Sequence, residues 1–335
     1  MLKVVLIDFL LLIRCFTFSR FINLIKLELS RWMNVLFDQS NIWGTPYAIS
    51  IEPVNKCNLH CLECPSGRGE LKRSQGLMPL DLYMNIIDKV SKKSFYLNLY
   101  FQGEPMMHPD FIEMIAYAKS KRMFVFTSTN GHFLTEKSAK QMIDSKLDKL
   151  IISFDGYNQD SYEKYRVGGK FEKVTQGIKN IAQAKKETKS KSPLLIAQVL
   201  VLKTTENHLD EIKSLALSIG ADKVEYKKAQ FYNPNKEGTL LPLNPRYLRY
   251  QFTEMNGWVL KTNKKKRCAR LWKTTVISWQ GDVLPCCYDK DANYCYGNIK
   301  HQELKDIIDN PKAKIFRKNV SKSRSNYDIC SNCGE

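Results

Sequence analysis

YAISIEPVNKCNLHCLECP, residues 47–65, decides how this chain is read. YAISIEP (47–53) is β-rich and reads as a strand. The loop after it packs Cys57, Cys61 and Cys64 at spacing C-x3-C-x2-C. A cubane iron–sulfur cluster that only carries electrons takes four thiolates. Three thiolates leave one iron open, as a catalytic zinc keeps a position for its substrate. The spacing therefore points to a cluster that binds a further ligand. Two alternatives stay open: a Cys3His zinc site using His60, and a structural cluster completed by a remote cysteine.

Outward from that loop, strand-like and helix-like stretches alternate. Strand patterns cover 96–103, 123–131, 149–156, 194–203 and 222–229. Helical periodicity covers 79–92, 108–121, 135–146, 171–187 and 208–220 between them. Such alternation indicates βα units and a parallel sheet. Six strands suit a barrel or an open barrel, whose chemistry sits at the C-terminal strand ends. The cysteine loop follows the first strand, QGEP (102–105) the second, TSTNG (127–131) the third and SFDG (153–156) the fourth. NPNKEGTLLPLNP (233–245) reads as a linker. After it the alternation stops and six of the ten cysteines appear. The expected organisation is a helical extension (1–46), a core barrel (47–235) and a small cysteine-rich domain (236–335).

With this cysteine spacing after its first strand, the sequence resembles a radical S-adenosylmethionine (radical SAM) enzyme. The resemblance implies an α/β fold, a partial (β/α)6 TIM barrel. It implies that the amino and carboxylate groups of SAM chelate the open iron of a [4Fe–4S] cluster. One electron, from a donor such as flavodoxin or ferredoxin, then cleaves SAM to a 5′-deoxyadenosyl radical that abstracts hydrogen from a substrate C–H bond. The protein supplies position, electrostatics and exclusion of water. Gly103, Glu104 and Pro105 match the family's Gly-Gly-Glu-Pro motif, with Gln102 in place of the first Gly. Backbone there bonds the SAM amino group, and a glycine lets it come close. Ser128, Thr129 and Asn130 end the third strand. Ser153 and Asp155 stand where the family binds the ribose hydroxyls. Arg166 matches an arginine that pairs with the SAM carboxylate, and Gln198 on the fifth strand faces the cofactor. Glu63 departs from the pattern, which often has an aromatic residue there against adenine.

Cys268, Cys286, Cys330 and Cys333 form a second set. GDVLPCC (281–287) reads as a hairpin turn leading into a ligand-bearing strand, and the chain closes on ICSNCGE (329–335). This resembles the C-terminal SPASM domain of many radical SAM enzymes, or its shorter twitch form. Four ligands imply one auxiliary [4Fe–4S] cluster with no open iron. A four-cysteine zinc is the alternative, and Cys287 or Cys295 can replace one of the four. A closed cluster near the substrate suggests electron acceptance. Cys287 and Asp289 are the candidate catalytic groups, taking a proton during oxidation of an alcohol, sugar or peptide. A cysteine there can instead return a hydrogen atom, as in related epimerases, and peptide maturation is a third outcome.

Ten clustered cysteines in a long charged chain favour metal over a secreted disulfide framework. Oxygen-sensitive clusters point to a reducing cytoplasm. A formal charge of +18 favours an acidic partner, whether substrate, membrane surface or nucleic acid. A zinc-stapled nucleic-acid-binding protein is the rival from another class, disfavoured by the first cysteine loop. The run Lys264–Arg267 precedes Cys268, where it can temper a cluster's charge or attract an acidic substrate. VVLIDFLLLI (4–13) contains Asp8 and is about half of the roughly 20 residues a membrane span needs, with no cleavage site after it. FTFSRFINLIKLELSRWMNVLF (16–37) fits one or two amphipathic helices, packed on the main domain or contacting a membrane surface through residues 1–40.

Overall fold

The computed structural model describes residues 14–231, 234, 240–261 and 268–334. The apolar run 4–13, part of the linker 233–245 and the basic run 264–267 lie outside the described residues.

Strands β1 (Ala48–Ile51), β2 (Tyr96–Asn98), β3 (Phe124–Thr129), β4 (Lys149–Ser153), β5 (Leu194–Val201) and β6 (Lys223–Lys228) pair in that order, all parallel. The side-chain period of two sorts each strand into two faces. Ile49, Leu97 and Val125 stand in register and bury against the helices, as do Leu150 and Leu195. Ser50, Asn98 and Phe126, also in register, face the other, concave side, which Ser128, Ser153 and Gln198 share. The outer layer is α1 (Phe18–Phe37), α2 (Leu80–Val90), α3 (Phe111–Ser120), α4 (Glu136–Asp144), α5 (Phe171–Glu187) and α6 (Leu209–Ser218). Thr135 caps α4 by accepting the Ser138 N–H, as its place before a polar first turn suggests.

The barrel does not close, and the C-terminal region is not a sheet of its own. After a separate hairpin of β7 (Tyr250–Thr253) and β8 (Gly257–Leu260), strand β9 (Thr274–Ile277) pairs with β1 in parallel. The chain turns at Gly281 (φ +91°) into β10 (Asp282–Leu284), which pairs antiparallel with β9 and then with β11 (Gly297–Asn298). The hairpin expected at GDVLPCC is therefore present, and it extends the core sheet to nine strands, with β6 and β11 at its edges.

Helix α1 packs on this body with reversed polarity. Its buried residues are Arg20, Asn23, Leu27, Ser30 and Asn34. The Arg20 guanidinium donates to the carbonyls of Ser91, Lys121 and Arg122, just beyond the C-terminal ends of α2 and α3. A cation is favoured there, where the last helix carbonyls lack partners. Asn23 donates to Thr45 O and accepts from Thr45 N, at 2.7 and 2.8 Å. Among the described residues no helix is long and apolar enough to cross a membrane.

Candidate functional site

The cysteine loop leaves β1 and is pinned by the loop after β2. Gly103 has φ +77°, and a Cβ on it would fall 2.5 Å from Lys56 O and 2.7 Å from Val54 O. Only glycine allows that approach. Glu104 donates its N–H to Lys56 O (2.8 Å). Its buried carboxylate accepts from Thr129 Oγ1 (2.7 Å), Asn130 N (2.7 Å) and Met106 N (3.1 Å). Burial raises the Glu104 pKa, opposed by those donors. Pro105 opens the helical turn that follows. Gln102 accepts from Ser66 Oγ at 3.1 Å, just after Cys64, and Gly103 N donates to the same hydroxyl. The amide that replaces the family's glycine thus helps hold the cysteine loop.

Cys57 and Cys61 each sense the neighbouring thiols of the loop. Burial pushes Cys57 up to about 12 against the Leu59 N–H, and Glu104, Cys61 and Cys64 add to the rise. Cys61 is raised by burial and lowered by Arg166, whose Nη1 lies 3.4 Å from its sulfur. Asn130 Nδ2 lies 3.9 Å from Cys57 Sγ. Thiols this buried become thiolates when metal cations compensate them, so the donor set fits a metal cluster. His60 Nδ1 instead donates to Gly67 O at 3.0 Å and staples the loop.

Asp155 is fully buried. Its Oδ2 accepts from Arg166 Nε (2.6 Å) and its Oδ1 from Leu200 N (2.6 Å). Both oxygens are engaged, so in this structure Asp155 positions Arg166 rather than presenting a free carboxylate to a ribose. Arg166, over the Tyr165 ring, spans from Asp155 to Cys61. Gln198 Nε2 is buried with no hydrogen-bond partner among the described residues. A buried donor normally has a partner, so an orphan on the concave face, in register with Ser153, fits a polar ligand such as SAM.

The cysteines of the second set also influence one another. Cys286 senses Cys268 and Cys330, and Cys333 raises both Cys268 and Cys330. Burial is the main cause of the upward shift at Cys268, Cys286 and Cys330. Buried Arg324 reaches within 3.4 Å of Cys333 Sγ and lowers Cys268 and Cys330. A cation among four thiols fits the negative charge of a thiolate-ligated cluster. Cys295 lies apart, donating to Gly297 O at 3.3 Å beside Asp282 and Asp289. Among the described residues no three His, Cys, Asp or Glu side chains converge as ligands of one ion.

Cys287 and Asp289 part company. Cys287 Sγ lies 3.5 Å from Arg270 Nη1 and near Tyr100, which burial pushes up to about 12 with Cys287 adding to it. Tyr100 stands two residues beyond Asn98, toward the concave side. A cavity of about 440 Å³ on that side, lined by Tyr47, Ser50, Tyr96, Asn98, Arg270 and Lys273, shares Arg270 with the Cys287 contact and lies toward the strand starts. Asp289 caps its own loop, accepting from Asn293 N (2.8 Å) and Tyr294 N (3.0 Å). Burial lifts its carboxyl to about 6. Arg324, Arg270 and Lys290 were not foreseen as site residues. Nothing in the sequence marks them among 52 lysines and arginines.

Comparison with known proteins agrees with this geometry. Residues 51–216 match the family model of the Radical SAM superfamily, and residues 268–334 that of an iron-sulfur cluster-binding domain. The chain is 25% identical over 310 residues to the tungsten-containing aldehyde ferredoxin oxidoreductase cofactor-modifying protein of Pyrococcus furiosus, covering 84% of this chain and 86% of that one. It is 24% identical over 302 residues to the AdoMet-dependent heme synthase of Methanosarcina barkeri, covering 82% and 85%. The fold is shared with Streptococcus suis SuiB, solved bound to the precursor peptide SuiA, at a TM-score of 0.61 and 13% identity over 92% of this chain and 75% of that one.

Proposed function

We propose, from the premise that this chain belongs to the radical SAM superfamily and ends in an iron–sulfur cluster-binding domain, that it oxidises a C–H bond of an acidic substrate held on the concave face. Bound here, a three-cysteine [4Fe–4S] cluster with SAM and an auxiliary [4Fe–4S] cluster supply a 5′-deoxyadenosyl radical and a place for the substrate's second electron. Cys57, Cys61 and Cys64 hold the first cluster, and Cys268, Cys286, Cys330 and Cys333 the second. The backbone at Gly103, Glu104 and Pro105 meets the SAM amino group, and Arg166 orients its carboxylate. Ser128, Asn130, Ser153 and Gln198 offer further polar contacts. Cys287 takes the proton that leaves on oxidation.

The observation that carries this reading is the place of Cys287. It directly follows a ligand of the closed set, touches Arg270 and meets Tyr100. The cavity that shares Arg270 with it falls within the ~300–1,000 Å³ of small-ligand sites, and Arg270 suits an anion. The relatives that cover 84% and 82% of the chain are named for a cofactor and for heme, which favours a small molecule over a peptide. Anaerobically reconstituted wild-type protein, given dithionite and SAM, is expected to release 5′-deoxyadenosine; no release sinks the reading. Small-molecule and peptide fractions of a fully deuterated cell extract separate the substrate classes. Deuterium entering 5′-deoxyadenosine from the peptide fraction alone would overturn the small-molecule part.

A further inference from the structure

Among the described residues, the outer face of α1 is an apolar stripe with no packing partner. Phe18, Phe21, Ile25, Leu29, Trp32 and Leu36 recur at helical spacing and lie on one side. Phe18 is 80% exposed, Trp32 54% and Leu36 69%. The polar residues Arg20, Asn23, Ser30 and Asn34 occupy the buried side instead. Ordinary surface helices are arranged the other way round. The helix is also fixed in this orientation. Besides the Arg20 and Asn23 bonds, Glu28 pairs with Lys273, and Arg317 donates to Ser40 O just past the helix. The stripe therefore cannot roll inward without breaking buried polar bonds.

A basic rim adjoins it. At the first turn of α1 a groove of about 650 Å³ is lined by Thr17, Ser19, Arg20, Lys92 and Arg122, with Asp88 and Lys121 paired to each other in its wall. Lys26 is exposed on the flank of the stripe. Aromatic and aliphatic side chains on one face with cations beside them are what an interfacial helix needs at an anionic bilayer. A second copy is the poorer occupant, because each chain carries a net charge of +18 and the two would repel.

We infer that this stripe docks on an anionic phospholipid surface. Phe18, Phe21, Trp32 and Leu36 enter the headgroup region, and Lys26, Lys92 and Arg122 meet the lipid phosphates. The orientation follows from the fold. Ser91, Lys121 and Arg122 lie before β2 and β3, whereas the cysteine loop and Glu104 lie beyond the opposite strand ends. A protein seated on α1 thus turns the cysteine loop and Glu104 away from the bilayer.

The test is co-sedimentation of the full-length, cluster-loaded protein with phosphatidylcholine vesicles, with and without phosphatidylserine. Binding is expected to be about tenfold stronger with phosphatidylserine and to fall as salt is raised. The triple variant Phe21→Ser, Trp32→Ser, Leu36→Ser should lose about tenfold in vesicle affinity while circular dichroism and cluster absorbance stay as in wild type. Lys26→Glu with Lys92→Glu, which leaves the stripe intact, should also weaken binding. Three results would overturn the inference. They are wild-type protein that ignores both vesicles, charge variants that bind as tightly as wild type, and a sedimentation-equilibrium dimer abolished by the triple variant. The last would give the stripe to a second copy.

Discussion

Asp155→Asn is the most informative single change at the site. It keeps the shape of the side chain and an acceptor for Leu200 N, and removes only the charge. The Arg166 guanidinium is then left in the protein beside Cys61 without its partner. Deleting one member of a buried pair costs about 3–5 kcal/mol. The Arg166 side chain keeps 17% exposure, so water takes part of the charge and the loss should fall near the lower end, about 3 kcal/mol. A domain stable by about 5–15 kcal/mol survives this, so the variant folds. The functional effect is separate. If Asp155 holds Arg166 where it meets the SAM carboxylate, loosening it removes a charge-assisted hydrogen bond of about 1.5–3 kcal/mol. That corresponds to roughly 10- to 100-fold weaker SAM binding, since each 1.4 kcal/mol is tenfold. Urea denaturation gives the first quantity and equilibrium dialysis with SAM on the loaded protein gives the second. Arg166→Lys is the control, keeping charge without the planar fork; it should weaken SAM binding with a smaller stability loss. Wild-type denaturation and wild-type SAM affinity in Asp155→Asn would refute the positioning role.

Gly103→Ala combines a positive φ, about 1–2 kcal/mol, with overlap onto backbone 2.5 Å away, about 1–3 kcal/mol. It should lower stability and iron loading together, and normal iron content would count against the pinning argument. Cys57→Ala should abolish 5′-deoxyadenosine release, whereas Cys330→Ala should spare some uncoupled cleavage; each should fall from roughly eight irons per chain to roughly four. Arg20→Met strands the carbonyls of Ser91, Lys121 and Arg122 and should cost about 2–4 kcal/mol in denaturation with SAM cleavage unchanged. Arg324→Met removes a cation beside the second thiol set and should make the auxiliary cluster harder to reduce, seen as a more negative midpoint in a redox titration; an unmoved midpoint would exclude that role.

The features the sequence carries plainly are local ones. Cysteine spacing, glycine at a forced approach and the change of hydrophobic period between strand and helix are each written within a few residues. That is why 171–187 emerges as α5 with those bounds and why Cys57, Cys61 and Cys64 group at once. What stays hidden depends on pairing across the chain. β9 is four residues with no pattern to set it apart, and only its parallel register with β1, more than 200 positions earlier, makes it part of the core sheet. Asp155 and Asp289 look alike in sequence as polar residues at loop starts. Their partners are Arg166 with Leu200 N, and two backbone amides of one turn, and no local pattern announces either. The reversed polarity of α1 has the same origin. Periodicity shows that a helix has two faces, and only the carbonyls waiting beyond α2 and α3 decide which face turns inward.

Glu63, the residue that departs from the family pattern, gains its meaning from such long-range pairing. It is 7% exposed and sits in the field of Lys290, which also senses Cys64. Lys290 lies four residues past Cys286, on the loop that presents Cys287. The same loop is tied back to the segment after the first cysteines, where Lys72 N donates to Asp291 Oδ1 (2.8 Å) and Arg73 Nε donates to Lys290 O. Arg73 in turn pairs with buried Glu52 at the end of β1. A chain of charges and hydrogen bonds therefore runs from β1 through Arg73 and Lys290 to the ligand-bearing loop. An aromatic residue at position 63 could contact adenine but could not answer the Lys290 charge. A carboxylate there adds its charge to Lys290, on the loop that carries Cys286 and Cys287 and that Lys72 and Arg73 tie back to the first cysteine segment.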